Sequence, residues 1–401
     1  MPRWLVAALS AFVAAVLAAG VVGVVVNRDG DDSAAPSRRT STTSTTATPS
    51  GASSTTAAPS TTAPPTGVEA VVPSLQAFVE KERGLAFRQP VKVTLLADGP
   101  FEARVRESDE EDLEELRDAE AVLEAMFLLD REVDLAEEVE RFSAGAILGF
   151  YDTETKELVV RGREPTPYVR TILVHELTHA LEDQHFDLDR ADDLGDEAFL
   201  GFQALAEGSA GRVEDAYRAS LSAADRRAAA REEAARATSV PDVPAVVQLI
   251  FGFPYAFGPD LVAAILRAGG QARLDAAFGD DSPASSEHVL HPSRYLRGDE
   301  PRAVPNPPAD GTAFDDGEIG ELFLSLMLGA GLDQDQADEA AEGWGGDHYV
   351  AWRDGDRTCV RMTFVMDTPA DTAQLTEALA DWAEERGNAA AADGTTLRTC
   401  G

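Results

Sequence analysis

Apolar and polar positions recur along this chain with two different periods, and each change of period marks out an element. The first feature is an uncharged run from Trp4 to Val26, WLVAALSAFVAAVLAAGVVGVVV. At about 1.5 Å per residue, a helix of that length crosses a hydrocarbon core of roughly 30 Å, so residues 1–30 are expected to form a cytoplasmic tip and a membrane anchor. A cleavable leader is the rival reading, because VLAAG offers small residues, but the apolar part of such leaders is usually only about 7–15 residues long. Arg3 precedes the run and NRDGDD follows it, which places the bulk of the chain outside the cytoplasm.

Residues 31–67 are rich in Ser, Thr and Pro and almost free of large apolar side chains, so they cannot repay the entropy of folding and read as a disordered linker. A folded head begins near Val68. SLQAFVEKERGL has helical spacing and VKVTLLAD has the alternation of a strand. From Asp109 to Arg141 an acidic stretch carries Leu113, Leu116, Val122, Leu123 and Met126 at helical spacing, with its acids on a solvated face. AGAILGFYDTETKELVVRG reads as two strands around a polar turn, after which Pro165 and Pro167 open a helix containing ILVHELTHALEDQHFDL. DEAFLGFQALAEGSAGRVEDAYRASL is a second long helical pattern. In VVQLIFGFPYAFGPDLVAAIL an apolar run is interrupted by Pro254, Gly258 and Pro259, which favours a pair of buried helices or a pocket wall over a second membrane span. A loop rich in proline and aspartate (Asp299 to Asp316) leads to the helix GEIGELFLSLMLG, the hairpin HYVAWRDGDRTCVRMTFVMD and the helix ADTAQLTEALADWAEERG. The pattern predicts an α+β protein, mainly helical with a small hairpin or sheet, divided into a head at 68–310 and an α+β subdomain at 311–401.

Composition narrows the partners. With 401 residues, 44% of them hydrophobic, the chain can build a sizeable core, but a formal net charge of −37 would repel a phosphate backbone, so nucleic acid is excluded as a partner. The two cysteines, Cys359 and Cys400, are expected to form a disulfide in an extracytoplasmic compartment.

The candidate chemistry lies in HELTHALEDQH. Residues four apart on a helix share a face, so His175 and His179 can turn ring nitrogens towards one divalent ion, for which zinc is the suited metal. Glu176, beside the first imidazole, is placed to take a proton from a water that the ion acidifies. Ile172, Leu173, Val174, Leu177, Thr178, Ala180 and Leu181 are uncharged, as a buried helix requires, and a carboxylate in their midst needs a cation or a hydrogen-bond partner. A third ligand is open between two residues. His185 has the spacing used by metzincins, but those enzymes leave the helix at a glycine where this chain has Glu182. If the helix continues, His185 is rotated by more than roughly 90° from the other two. Glu207, on a separate helix that can pack antiparallel, is the better candidate and completes a His₂Glu set. Asp183, one turn beyond His179, reads as a group that orients an imidazole.

VHELTHA followed by a glutamate on a later helix resembles the gluzincin clan of zinc metallopeptidases. HELTHALEDQHFDL together with ALAEGSA, FPYAFG and SSEHVLHPSRYL is similar to mostly bacterial, uncharacterised proteins of that type, over roughly Ala144 to Leu296. The resemblance implies a zincin-like head with His175, His179 and Glu207 as zinc ligands and Glu176 as general base. Many gluzincins place an aspartate four residues after the ligand glutamate; Gly211 stands there, leaving Glu214 or Asp183 to orient the first histidine. Such enzymes use a histidine or tyrosine to donate to the developing oxyanion, for which His291 and Tyr295 are the candidates, with His288 behind them and Tyr255 weaker. An edge strand in the hairpin from Ala144 to Arg161 would hold an extended polypeptide substrate. The expected function is therefore a membrane-anchored, extracytoplasmic zinc metallopeptidase. The alternative is a non-catalytic envelope module that keeps the fold to bind a partner.

Overall fold

The computed structural model of the chain describes residues 67–106, 110–237 and 241–401. The expected anchor at Trp4 to Val26 and all of the linker before Gly67 lie outside the described residues. The head opens with α1 (Val68–Arg83), β1 (Lys92–Leu96) and α2 (Asp98–Val105). The acidic stretch then forms two helices, α3 (Glu110–Ala125) and α4 (Leu135–Ala146), because Asp134 caps the second by accepting from the Glu137 amide at 3.0 Å.

The hairpin follows as β2 (Gly149–Asp152) and β3 (Glu157–Arg161), and the sheet order among the described residues is β1-β3-β2. β1 runs parallel to β3 with Lys92 opposite Glu157, while β2 is antiparallel and lies at an edge. Thr166 then caps α5 (Pro167–Phe186) through the Val169 amide, and Pro167 occupies the first turn, where its missing N–H costs nothing. Every residue of α5 from Thr171 to Asp183 is buried, so this helix is enclosed on all sides. A 3₁₀ turn at Leu188–Asp193 leads to α6 (Asp196–Ser220), which packs on α5 and is followed by α7 (Ala223–Ala237).

α8 (Ala245–Ala277) differs from expectation. It runs helically through Pro254 and Pro259 and breaks instead at Gly270, where φ is 65°. It is long and apolar enough to cross a membrane by length and composition, but 56% of its most apolar window is buried against the rest of the chain. The contact with α6 is close: a Cβ added to Gly208 would overlap the Gly258 carbonyl, and one added to Gly258 would overlap the Ala204 carbonyl.

Two short helices, α9 (Ser286–Leu290) and α10 (Pro292–Arg297), precede β4 (Thr312–Gly317), α11 (Gly320–Gly329) and α12 (Gln334–Ala341). The chain ends with β5 (Trp344–Asp354), β6 (Arg357–Met366), α13 (Pro369–Arg386), β7 (Ala390–Asp393) and β8 (Thr396–Cys400). The second sheet is antiparallel throughout, in the order β4-β5-β6-β8-β7 among the described residues. Cys359 on β6 lies opposite Cys400 on β8, and the two form a disulfide. The mixture of helix and sheet is α+β.

One apolar core joins Leu75, Val79, Leu158 and Val160 to Leu173, Val174, Leu177 and Val213, seating α5 on the first sheet. A larger core runs from Leu123 and Phe142 through Phe202, Phe253 and Val262 to Trp344, Leu379 and Trp382, so packing is continuous across residue 311. Each such side chain contributes about 1.5–3 kcal/mol on burial, which makes the C-terminal layer a structural support of the head.

Candidate metal centre

His175 and His179 lie one turn apart on α5 with ring centroids 4.9 Å from each other, and Glu207 reaches them from α6. One ligand atom from each of the three lies within 4.8 Å of the other two. Glu207 Oε2 is 3.0 Å from His175 Nε2 and 3.7 Å from His179 Nε2, the second beyond hydrogen-bonding distance. Contacts between Tyr168 and Arg218, His175 and Glu214, and Glu182 and Ser209 run in opposite directions along the two helices, so α5 and α6 are antiparallel.

The group is deeply enclosed. Glu176 is 0% exposed, His179 1%, and His175 and Glu207 3% each. Among the described residues, neither oxygen of Glu176 and neither ring nitrogen of His179 has a hydrogen-bond partner, whereas nearly all buried polar atoms are paired. The Tyr151 backbone amide faces Glu176 and favours its charged form, although it falls short of hydrogen-bond geometry. Burial pushes the Glu176 carboxyl well above the usual carboxylate range. Burial also works to raise Glu207, but the imidazoles of His179 and His175 outweigh it and hold that carboxyl down at about 2. Two imidazoles, an ionised carboxylate and unpaired buried atoms form a donor set that fits a divalent ion such as zinc.

The orientation of His175 is settled by a partner beyond Glu207. Glu214 Oε2 accepts from His175 Nδ1 at 3.0 Å, and Arg218 binds Glu214 at 2.8 Å while also bridging to Glu233 on α7. Asp183 has other partners: it accepts from the Tyr151 hydroxyl at 2.8 Å and pairs with Lys156 at 3.0 Å. Asp183, Asp187 and Asp189 also bring ligand atoms within 4.8 Å of one another, but the Lys156 ammonium already sits against Asp183 and Asp189 there.

Glu182 explains why α5 continues past the metal face. Its carboxylate accepts from Arg83 Nε at 2.6 Å and from Ser209 at 2.5 Å, and Arg83 reaches on to Asp275 at 2.7 Å. The guanidinium lies over the rings of Phe186 and Phe278. This buried network fixes α1, α5, α6 and α8 relative to one another. With the helix intact, His185 points away and contacts the Ala86 carbonyl at 2.8 Å, so it is no part of the triad.

Two elements lie over the site. β2 crosses Glu176 so closely that a Cβ on Gly149 would stand 2.8 Å from Ile172 Cγ2 and 3.3 Å from Glu176 Cγ. The Arg161 amide bonds the Leu148 carbonyl, so alternate residues Leu148 and Phe150 face β3, and the backbone groups of Gly149 and Tyr151 point to the free edge. α8 supplies Tyr255, whose ring stacks on His175 with centroids 6.4 Å apart.

His291 and Tyr295 take different positions from those expected. His291 Nε2 is 2.8 Å from Glu321 on α11, and the Tyr295 hydroxyl donates its single proton to the Asp281 carbonyl at 2.7 Å, leaving none for an oxyanion. Among the described residues, no hydrogen bond or ring contact joins either one to His175, His179 or Glu207. Nearby, Arg294 pairs with Glu287 and Asp367, and His288 bonds the Asp299 carbonyl. The segment SSEHVLHPSRYL thus fastens the head to the C-terminal layer. Tyr255 is the aromatic hydroxyl residue that the fold brings to the histidines, a tertiary placement that helical spacing alone does not signal.

Residues 309–400, which hold β4 to β8 and the disulfide, match a family model described as Domain of unknown function (DUF8575). No curated protein and no solved structure matches the chain.

Proposed function

We propose that the protein is a zinc-dependent peptide hydrolase, carried outside the cytoplasm on an N-terminal membrane anchor and acting on extended polypeptide. The observation that carries this reading is the convergence of His175, His179 and Glu207 beside a buried, unpartnered Glu176. A zinc ion held by the three residues would acidify a water and polarise the scissile carbonyl. Glu176, on the turn between the two histidines, accepts the proton of the attacking water and returns it to the leaving amine. Glu214 and Arg218 hold the His175 ring. The outward backbone groups of Gly149 and Tyr151 offer an extended substrate a strand to pair with.

A non-catalytic envelope module with a structural ion is the second reading, and the burial of all four groups favours it. The two separate on one pair of assays, metal content and casein hydrolysis, run on the wild type and on Glu176→Gln. The enzyme reading expects both proteins to hold one zinc ion and the variant to lose about 10²–10⁴-fold in rate. A metal-bearing wild type without hydrolysis selects the binding module, and a chain that takes up no metal removes both.

A further inference from the structure

We infer that Arg83 of α1 is a positioning residue for the metal centre: by holding Glu182 against Ser209 it sets how closely α5 and α6 approach, and so how tightly their side chains grip a divalent ion; this rests on the metal-centre reading above. Arg83 reaches Glu182 across 99 positions of sequence. Glu182 follows the candidate ligand His179 by three residues, and Ser209 follows the candidate ligand Glu207 by two. A single oxygen, Glu182 Oε1, accepts from Arg83 Nε at 2.6 Å and from the Ser209 hydroxyl at 2.5 Å, so one atom ties α1, α5 and α6 together beside those ligands. The guanidinium is fixed from two further sides. It lies over the stacked rings of Phe186 and Phe278, at 5.6 and 5.3 Å, and Asp275 of α8 holds its Nη1 at 2.7 Å.

Stability alone does not account for this bridge. Arg83, Glu182 and Ser209 are each 0% exposed, and the desolvation of a buried charge pair commonly matches or exceeds its attraction. Among the described residues, Arg83 Nη2 and Glu182 Oε2 have no hydrogen-bond partner, a further cost that apolar side chains of similar volume would avoid. Apolar side chains, however, do not fix a distance. They repack with little change in energy, whereas the planar guanidinium fork accepts one geometry. A second charged tie joins the same helices through His175 and Glu214, with Arg218 behind it. Along α5, His179 therefore stands between a tie at His175 and a tie at Glu182, and the second is set from α1, outside the two helices that carry the candidate ligands.

The test uses the full chain and cobalt(II). Competition with a chromophoric chelator reads affinity, the visible absorption of the bound ion reads its geometry, and urea midpoints read folding. The central variant makes the whole bridge apolar, with Arg83→Met, Glu182→Leu and Ser209→Ala together. Asp275, whose side chain is 29% exposed, keeps Gln271 as a partner at 3.1 Å in that variant. Its urea midpoint should equal or exceed that of the wild type. Its affinity for cobalt should nevertheless fall by at least about tenfold, with a changed absorption spectrum. Ser209→Ala alone, which leaves Arg83 paired with Glu182, should weaken binding by about threefold. Wild-type affinity and spectrum in the triple variant would overturn the positioning role while leaving the metal centre standing. A midpoint that falls along with affinity would also overturn it, because the bridge would then be holding the fold. A wild type that takes up no cobalt removes the metal-centre reading and this role with it.

Discussion

Glu214 accepts a hydrogen bond from Nδ1 of His175 at 3.0 Å, across 39 positions of sequence. That bond fixes the ring so that its other nitrogen faces Glu207, and Arg218 steadies the carboxylate in turn. Replacing Glu214 with alanine should weaken zinc binding by about 10–100-fold, with a smaller loss for Arg218→Ala. Competition with a chromophoric chelator measures both. Unchanged affinity in Glu214→Ala would mean that the ring is held by its packing alone.

Gly208 follows the candidate ligand Glu207 directly and touches α8 backbone to backbone. Gly208→Ala should force α8 off α6 and cost about 1–3 kcal/mol or more, read as a lower denaturant midpoint. Gly211, three residues further along the same helix, has nothing within 4 Å of an added Cβ, so Gly211→Ala should instead stabilise by up to about 1 kcal/mol. Similar losses at the two sites would contradict the close approach of the helices.

Glu197 on α6 is 2% exposed and accepts from the Ser286 amide at 2.8 Å and the Ser286 hydroxyl at 2.6 Å, and Ser286 Oγ in turn accepts from the Leu322 amide of the C-terminal layer at 3.3 Å. Burial lifts its carboxyl from 4.5 to about 8, and Glu287 nearby is likewise raised to about 8 by burial. The folded chain therefore holds these protons more tightly than the unfolded chain does. Their stabilising effect is full below 4.5, falls as pH rises through neutrality, and is gone above about 8. Urea midpoints should drop between about pH 4.5 and pH 8, and Glu197→Gln should flatten that slope. A midpoint that rises over the same range would contradict this assignment.

The Cys359 to Cys400 bridge joins neighbouring strands across a sequence separation of 41. Cys359→Ser with Cys400→Ser should cost about 2–5 kcal/mol in the C-terminal layer. Because that layer shares the core with Phe202 on α6, which carries the candidate ligand Glu207, the same variant should also loosen zinc binding if zinc is held there. Intact affinity in the reduced protein would separate the two.

Much of the site was legible in sequence because it rests on helical periodicity. The four-residue step fixes His175 and His179 on one face, and an uncharged surround marks the helix as buried. Glu207 and Glu214 were legible only as choices, since which later carboxylate returns to the histidines depends on how α6 packs. The places of His291 and Tyr295 are not legible for the same kind of reason: a polar segment gives no sign of which core it closes, and theirs closes on Glu321 and Asp281. The prolines of α8 read as breaks, yet packing against α6 holds the helix through both. β4 and β7 are not legible in TAFDDG and AAAD, which carry little strand propensity and exist by pairing with β5 and β8.

The most direct measurement is an anomalous difference map at the zinc absorption edge from crystals grown with zinc. The expected result is one strong peak about 2 Å from a ring nitrogen of His175, a ring nitrogen of His179 and a carboxylate oxygen of Glu207. No peak there, or a peak only among Asp183, Asp187 and Asp189, would contradict the metal centre and the hydrolase built on it.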